Sequence, residues 1–314
     1  MTEAIRLNSA KAKYYFRRAA YHVIKSNWAE AIADYTEALR LKPDPLDEDA
    51  FNFTVAEVYR ERGIAYRYLG DYEASLADFT ELTQLEPDYP YHYEQRSITY
   101  KFKGDFENAL QDLYTVQQLK PNQPIILLDI VDVRLRQGNK EAAKQLLDEV
   151  IERFKTPLAY YMRSQLLKEE SNVTEAIADQ EEAIKQYPRF HPVYVTLGET
   201  YLAHGNFAKA VEVLNALMDG DPGYRYGALY LRARAYLALG DFEQANRDFA
   251  ESITVIASTL AEFPNFTQGY VTRGHVHAAQ GNVAQAVADY TKALELEPNH
   301  PESGVMREYV SNNT

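Results

Sequence analysis

Apolar residues fall at the same places in two segments of the chain written about 250 residues apart. Asp34–Pro43 reads DYTEALRLKP and Asp289–Pro298 reads DYTKALELEP; they differ at three positions, all polar in both copies. A looser copy, DFTELTQLEP, occupies Asp78–Pro87. A core-facing pattern that is kept while solvent-facing residues drift is what a stacked structural unit leaves in a sequence.

The period follows from two landmarks. A short residue near the middle of each presumed first helix (Ala19, Gly63, Ser97, Val131, Ser164, Gly198, Ala233, Gly274) recurs at steps of 44, 34, 34, 33, 34, 35 and 41. Twelve residues further on stand Ala31, Ser75, Ala109, Ala143, Ala176, Ala210, Ala245 and Ala286, seven Ala in eight places. The unit is therefore about 34 residues, repeated eight times. Between the landmarks lies a dipeptide: Gly-Asp at Gly70, Gly104 and Gly240, Gly-Asn at Gly138, Gly205 and Gly281, Ser-Asn at Ser26 and Ser171. Glycine takes the left-handed conformation that ends one helix, and Asp or Asn accepts from the free N–H groups that open the next. The pattern predicts helix, tight turn, helix in every unit. A proline (Pro43, Pro87, Pro121, Pro188, Pro222, Pro264, Pro298) is expected to close the second helix, because it has no N–H to give a helix interior.

Unit boundaries fall near 12–45, 56–89, 90–123, 124–156, 157–190, 191–224, 226–266 and 267–300, with 1–11 a lead-in and 301–314 a short cap or tail. Between the first two units about ten extra residues appear around PDPLDEDAFN, and they predict an elongated first helix in the second unit. Seven extra residues in ITVIASTLAEF of unit seven are nearly two helical turns, so that helix can lengthen without rotating its buried face. In units four and five Lys140 and Gln180 replace apolar residues and Lys155 stands where proline is usual; a kink or weaker stacking is expected at 155–157. PESGVMREYVSNNT opens a ninth unit and is short for a terminal cover, which makes docking of a partner or of another copy of the chain at the C-terminal end an expectation.

As a set, these features resemble the tetratricopeptide repeat (TPR) family over roughly residues 12–300: Gly63, Tyr66, Gly70, Tyr72, Phe79 and Pro87 in unit two, and Tyr270, Gly274, Gly281, Ala286, Tyr290 and Pro298 in unit eight. The resemblance implies an all-α, right-handed superhelical solenoid of about eight helix-turn-helix repeats. It also implies a groove lined by first helices that holds extended or helical peptides.

Charge and chemistry narrow the function. The net charge of −13 and pI of about 5.1 suit a phosphate backbone poorly. The absence of Cys excludes disulfides, thiolate metal sites, a Cys nucleophile and a lipidated Cys. No signal-peptide pattern and no apolar run of the ~18–20 residues that span a bilayer is present, so a soluble cytoplasmic protein is expected. No phosphate-binding loop, nucleophile elbow or HExxH motif occurs, and neither enzyme activity nor a cofactor is expected. His275 and His277 lie two apart, about 200° around a helix, and cannot meet at one metal ion. His277 is expected to pack where other units place Tyr, and His275 to face the groove.

The groove candidates carried over from the family are Arg60, Arg67, Tyr68, Tyr91, Glu94, Lys101, Phe102, Asp132, Arg136, Tyr161, Gln165, Lys168, Glu199, Tyr230, Arg234 and His275. Arg67, Lys101, Arg136 and Lys168 fall at nearly the same place in four consecutive units, a basic track flanked by Tyr68, Phe102 and Tyr161 that suits an acidic peptide or terminal carboxylate. The same cations also sit in last helical turns, where the helix dipole favours them without any ligand. The family's carboxylate clamp for chaperone tails needs asparagines where this chain has Ala20, Ile64, Ile98, Asp132, Gln165, Glu199, Arg234 and His275, so that mode is not expected. A non-catalytic scaffold for a protein or peptide is the leading reading. A helical-repeat nucleic-acid binder and a non-catalytic subunit of an enzyme complex are the alternatives.

Overall fold

The computed structural model describes residues 11–42, 53–218 and 222–314. Among them it contains seventeen α-helices and no strand. The chain divides between Phe154 and Lys155 into two compact units. The first holds α1 (Ala12–Ile24), α2 (Trp28–Leu41), α3 (Val55–Leu69), α4 (Tyr72–Leu85), α5 (Pro90–Lys103), α6 (Phe106–Leu119), α7 (Pro124–Arg136) and α8 (Lys140–Phe154). The second holds α9 (Pro157–Glu169), α10 (Val173–Gln186), α11 (His191–Ala203), α12 (Phe207–Asn215), α13 (Pro222–Leu239), α14 (Phe242–Glu262), α15 (Thr267–Ala279), α16 (Val283–Leu296) and α17 (Ser303–Asn313). None is long and apolar enough to cross a membrane.

Each hairpin is closed by the same local bonds. In the second, Gly70 sits at φ +88° and the Asp71 N–H donates to Tyr66 O at 2.9 Å. The carbonyls that α3 leaves unpaired are thus satisfied within the turn. The corresponding N–H at Asn27, Asp105, Asn139, Asn172, Asn206, Asp241 and Asn282 makes the same bond. Ser26 and Ser171 adopt this left-handed geometry too, at φ +57° and +62°. The expected cap of the second helix is formed by Asp71, Asp105, Asn139 and Asp241, whose side chains accept from the N–H three residues on. Asn27, Asn172, Asn206 and Asn282 make no such bond.

Two features hold the hairpins together. The small residue of the first helix lies under the large residue sixteen positions later: a Cβ on Gly63 would stand 3.1 Å from the Phe79 ring, and one on Gly274 2.6 Å from Tyr290. Beside that contact runs an ion pair the sequence reading missed. Arg18–Asp34, Arg62–Asp78, Arg96–Asp112, Arg163–Asp179, Arg232–Asp248 and Arg273–Asp289 are all bidentate, with both bonds between 2.6 and 2.9 Å. Its sequence signal is an Arg just before the small landmark and an Asp sixteen residues on.

Successive hairpins stack through second and first helices: α2 on α3, α4 on α5 and α6 on α7 in one unit, α10 on α11, α12 on α13, α14 on α15 and α16 on α17 in the other. The seven extra residues of unit seven extend α14 as one continuous helix, which buries Ile256 and Leu260. At the C-terminal end, α17 buries Met306 against the last hairpin, with Tyr309 edge-on to Tyr290 at 5.2 Å.

Two expectations need correction. The first helix of unit two is not elongated through residues 53–54. Thr54 caps Val55–Leu69 in a reciprocal box with Glu57, and Phe53 is held outside the helix by stacking on Phe16 at 4.4 Å. The segment Pro43–Asn52 lies outside the described residues. Pro222 does not close a helix but opens α13; proline fits a first turn because its missing N–H is not needed there. Elsewhere the second helices stop two residues before proline, at Leu85, Leu119, Gln186, Glu262 and Leu296, since the preceding residue is sterically pushed out of the helical region. Gln180 is buried and polar where other units place an aromatic or Leu, and Lys155 takes φ +51° between the two compact units.

Candidate functional site

In the first unit the cations of the basic track are already bonded. Arg67 donates to Gln95 O at 3.1 Å and to Gln95 Oε1 at 2.9 Å, with its guanidinium over the Phe79 ring. Burial pushes its pKa down, as expected for a cation used inside the fold. Lys101 and Arg136 both hold Asp132, at 3.1 and 3.0 Å. Arg60 pairs with its neighbour Glu61 at 3.0 Å, and Tyr91 lies beside Arg60 and Arg67 with its hydroxyl pKa raised by burial. Tyr68 stacks on Trp28 at 4.6 Å and Phe102 on Tyr72 at 6.2 Å, each against the residue that opens the preceding second helix, so both sit at the hairpin turns. Glu94 and Lys101 line a recess of about 450 Å³ with Ile98, Ile126 and Asp129; Glu94 there accepts from Lys120 at 3.3 Å.

The second unit brings predicted residues together in a different way. Glu199 on α11, Arg234 on α13 and His275 on α15 are each the residue after the small landmark, so the same helical phase aims all three one way. They meet Tyr224, Tyr226 and Tyr230 of α13, Gln268 and Thr272 of α15, and Glu302 just before α17, around an open recess of about 450 Å³. Tyr230 is its platform: His275 stacks on it at 5.7 Å with rings 16° apart, and the Arg234 guanidinium lies 5.6 Å from the ring centroid.

The hydrogen bonds around His275 are closed. Glu302 only accepts, so Nε2–H donates to it at 2.8 Å, and in the neutral ring Nδ1 accepts from the Tyr290 hydroxyl at 2.8 Å. That bond holds the Glu302 carboxyl below its ordinary pKa. The Glu302 N–H donates to His300 Nδ1, which ties the chain entering α17 to the rim of the recess. Glu302 and Gln268 went unnoticed in the sequence because neither is a first-helix landmark neighbour; the docking of α17 puts Glu302 there.

Glu199 differs. It is exposed, yet it lines the recess. Burial pushes its carboxyl pKa up, while Lys168 and Arg234 pull the other way from a distance. No hydrogen bond or ion pair reaches it among the described residues. Tyr161 lies edge-on to Phe190 at 5.5 Å; burial raises its hydroxyl pKa and Glu199 adds to the rise. Gln165 is half-buried and donates to Ser164 Oγ at 3.4 Å. His277 packs inward beside Asp289 at 3.9 Å, and burial lowers its pKa.

Helical hairpins stacked in order, with first-helix side chains meeting in a recess, define a helical-repeat protein. The particular family is the tetratricopeptide repeat family, to which the chain belongs: family models described as tetratricopeptide repeat match residues 56–89, 103–166, 167–230, 227–247 and 268–300. Among curated proteins it is similar to DnaJ homolog subfamily C member 3 of Rattus norvegicus, 34% identical over 109 residues, 35% of this chain and 20% of the relative. The matched part thus spans about a fifth of that protein. A solved tetratricopeptide repeat protein from Parabacteroides merdae superposes with a TM-score of 0.52 at 19% identity, covering 96% of this chain and 97% of the other. The human IFIT1 dimer with m7Gppp-AAAA superposes with a TM-score of 0.56 at 15% identity, covering 94% of this chain and 70% of that one. At such identities these likenesses establish the fold.

Proposed function

We propose that this chain is a non-catalytic scaffold that holds an extended peptide or protein segment against first-helix side chains, with the recess around Tyr230 as its main contact. The supporting observation is the convergence of Glu199, Arg234 and His275 from three consecutive hairpins on one aromatic floor. Aromatic platforms with a few polar groups are how concave sites gain area and orientation together. The cations of the first unit serve this reading less well, since an acidic ligand would first have to displace Asp132 from Lys101 and Arg136. Capture of partners from native cells, wild type against Tyr230→Ala and Arg234→Ala, tests it. The expected result is loss of a defined partner set with helical content unchanged, and an identical partner set would sink the reading. Light scattering at high concentration tests self-association through the C-terminal end, where Val305 is exposed.

A further inference from the structure

We infer that the recess of the second unit takes a cationic side chain, Lys or Arg, of its peptide ligand, seated between the Glu199 carboxylate and the Tyr224 ring, beside Tyr230. The inference rests on the groove reading and gives it a sign opposite to that of the basic track. It follows from asking which charges in the recess are already answered. Glu302 is answered by His275 at 2.8 Å. Arg234 is held on the Tyr230 ring at 5.6 Å. Lys168 and Arg234 act on Glu199 only through space. Among the described residues Glu199 has no hydrogen bond, ion pair or ring contact, and it lines a cavity of about 450 Å³, large enough for a long side chain, beside Tyr224, Tyr226 and Tyr230. A carboxylate without a partner beside an aromatic ring is what an ammonium or guanidinium group binds, by direct pairing and by attraction to the ring quadrupole. The net charge of −13 draws cationic ligands in rather than repelling them.

The experiment uses three small probes and reads side-chain resonances of the whole chain by NMR. N-acetyl-lysine methylamide, N-acetyl-norleucine methylamide and N-acetyl-glutamate methylamide are titrated separately against wild type and Glu199→Gln. The lysine probe is expected to shift the Glu199 carboxyl and Tyr230 ring signals with a Kd at least about tenfold below that of the glutamate probe, a preference of about 1.4 kcal/mol. Glu199→Gln should abolish that preference. If norleucine matches lysine and both move the Tyr230 ring, the recess accepts side chains without regard to charge; the groove reading then stands and the cationic anchor falls. Tighter glutamate binding, an undiminished lysine preference in Glu199→Gln, or no shift with any probe also overturns the inference. The partner capture with Tyr230→Ala judges the groove reading separately.

Discussion

Arg62 clasps Asp78 with two hydrogen bonds of 2.9 and 2.7 Å across the second hairpin, and the pair is almost wholly enclosed, with 16% and 4% of the side chains exposed. In the two hairpins without this pair both positions are apolar together: Ile130 with Leu146, and Leu197 with Val213, which belong to one cluster. An enclosed charge pair can be exchanged for an apolar pair at little net cost, whereas half of one cannot stand alone. Asp78→Ala should therefore cost about 3–5 kcal/mol, and Arg62→Leu with Asp78→Val should recover most of it. Urea denaturation of the single and double variants measures the coupling. Additive losses would refute the account.

Gln180 is buried at the position where other hairpins place Tyr35, Phe79, Leu113, Leu147, Leu214, Phe249 and Tyr290, and neither Nε2 nor Oε1 has a hydrogen-bond partner. A buried amide without partners costs about 1–3 kcal/mol. Gln180→Leu keeps the volume and removes the polar atoms, so it should raise stability by a similar amount. A lower midpoint in chemical denaturation would show that the amide is satisfied in solution.

Gly274 and Ser171 test the hairpin from opposite sides. Gly274→Ala puts a methyl 2.6 Å from the Tyr290 ring and should cost about 1–3 kcal/mol. Ser171 sits at φ +62°, a conformation that strains a residue with a Cβ. Ser171→Gly should gain about 0.5 kcal/mol, because part of the relief is offset by the freer unfolded chain. Thermal unfolding of the two variants should move in opposite directions; movement in the same direction contradicts the turn geometry.

Glu199 gives a pH signature. Its folded pKa lies above the ordinary 4.5, so the fold prefers the protonated acid. The stability it contributes is complete below the unfolded pKa and is lost as pH rises through the folded one. Glu199→Gln should therefore unfold at a higher temperature than wild type at pH 7, with the gap closing as pH falls below about 4.5. A gap that is constant with pH would mean the carboxylate is well solvated.

Most of the fold was legible because each hairpin uses local chemistry. The dipeptides at Gly70, Gly104 and their equivalents announced the left-handed turn, and the spacing from Gly63 to Phe79 announced the close helix approach. Two further signals, Thr54-x-x-Glu57 and the Arg–Asp spacing of sixteen, are equally local; the first explains why the helix of unit two is not elongated. The candidate site was legible only as a list of first-helix positions.

The sequence by itself determined the repeat, the turns and the helical phase that sends Glu199, Arg234 and His275 to one face, because those depend on residues within one hairpin's length. Only the tertiary structure decided which charges remain available. Lys101 meets Asp132 from the next hairpin, Arg67 meets Gln95, and His275 meets Glu302 through the docking of α17. Each of these pairings spans 27 to 31 residues, where stacking geometry and not local sequence sets the distance.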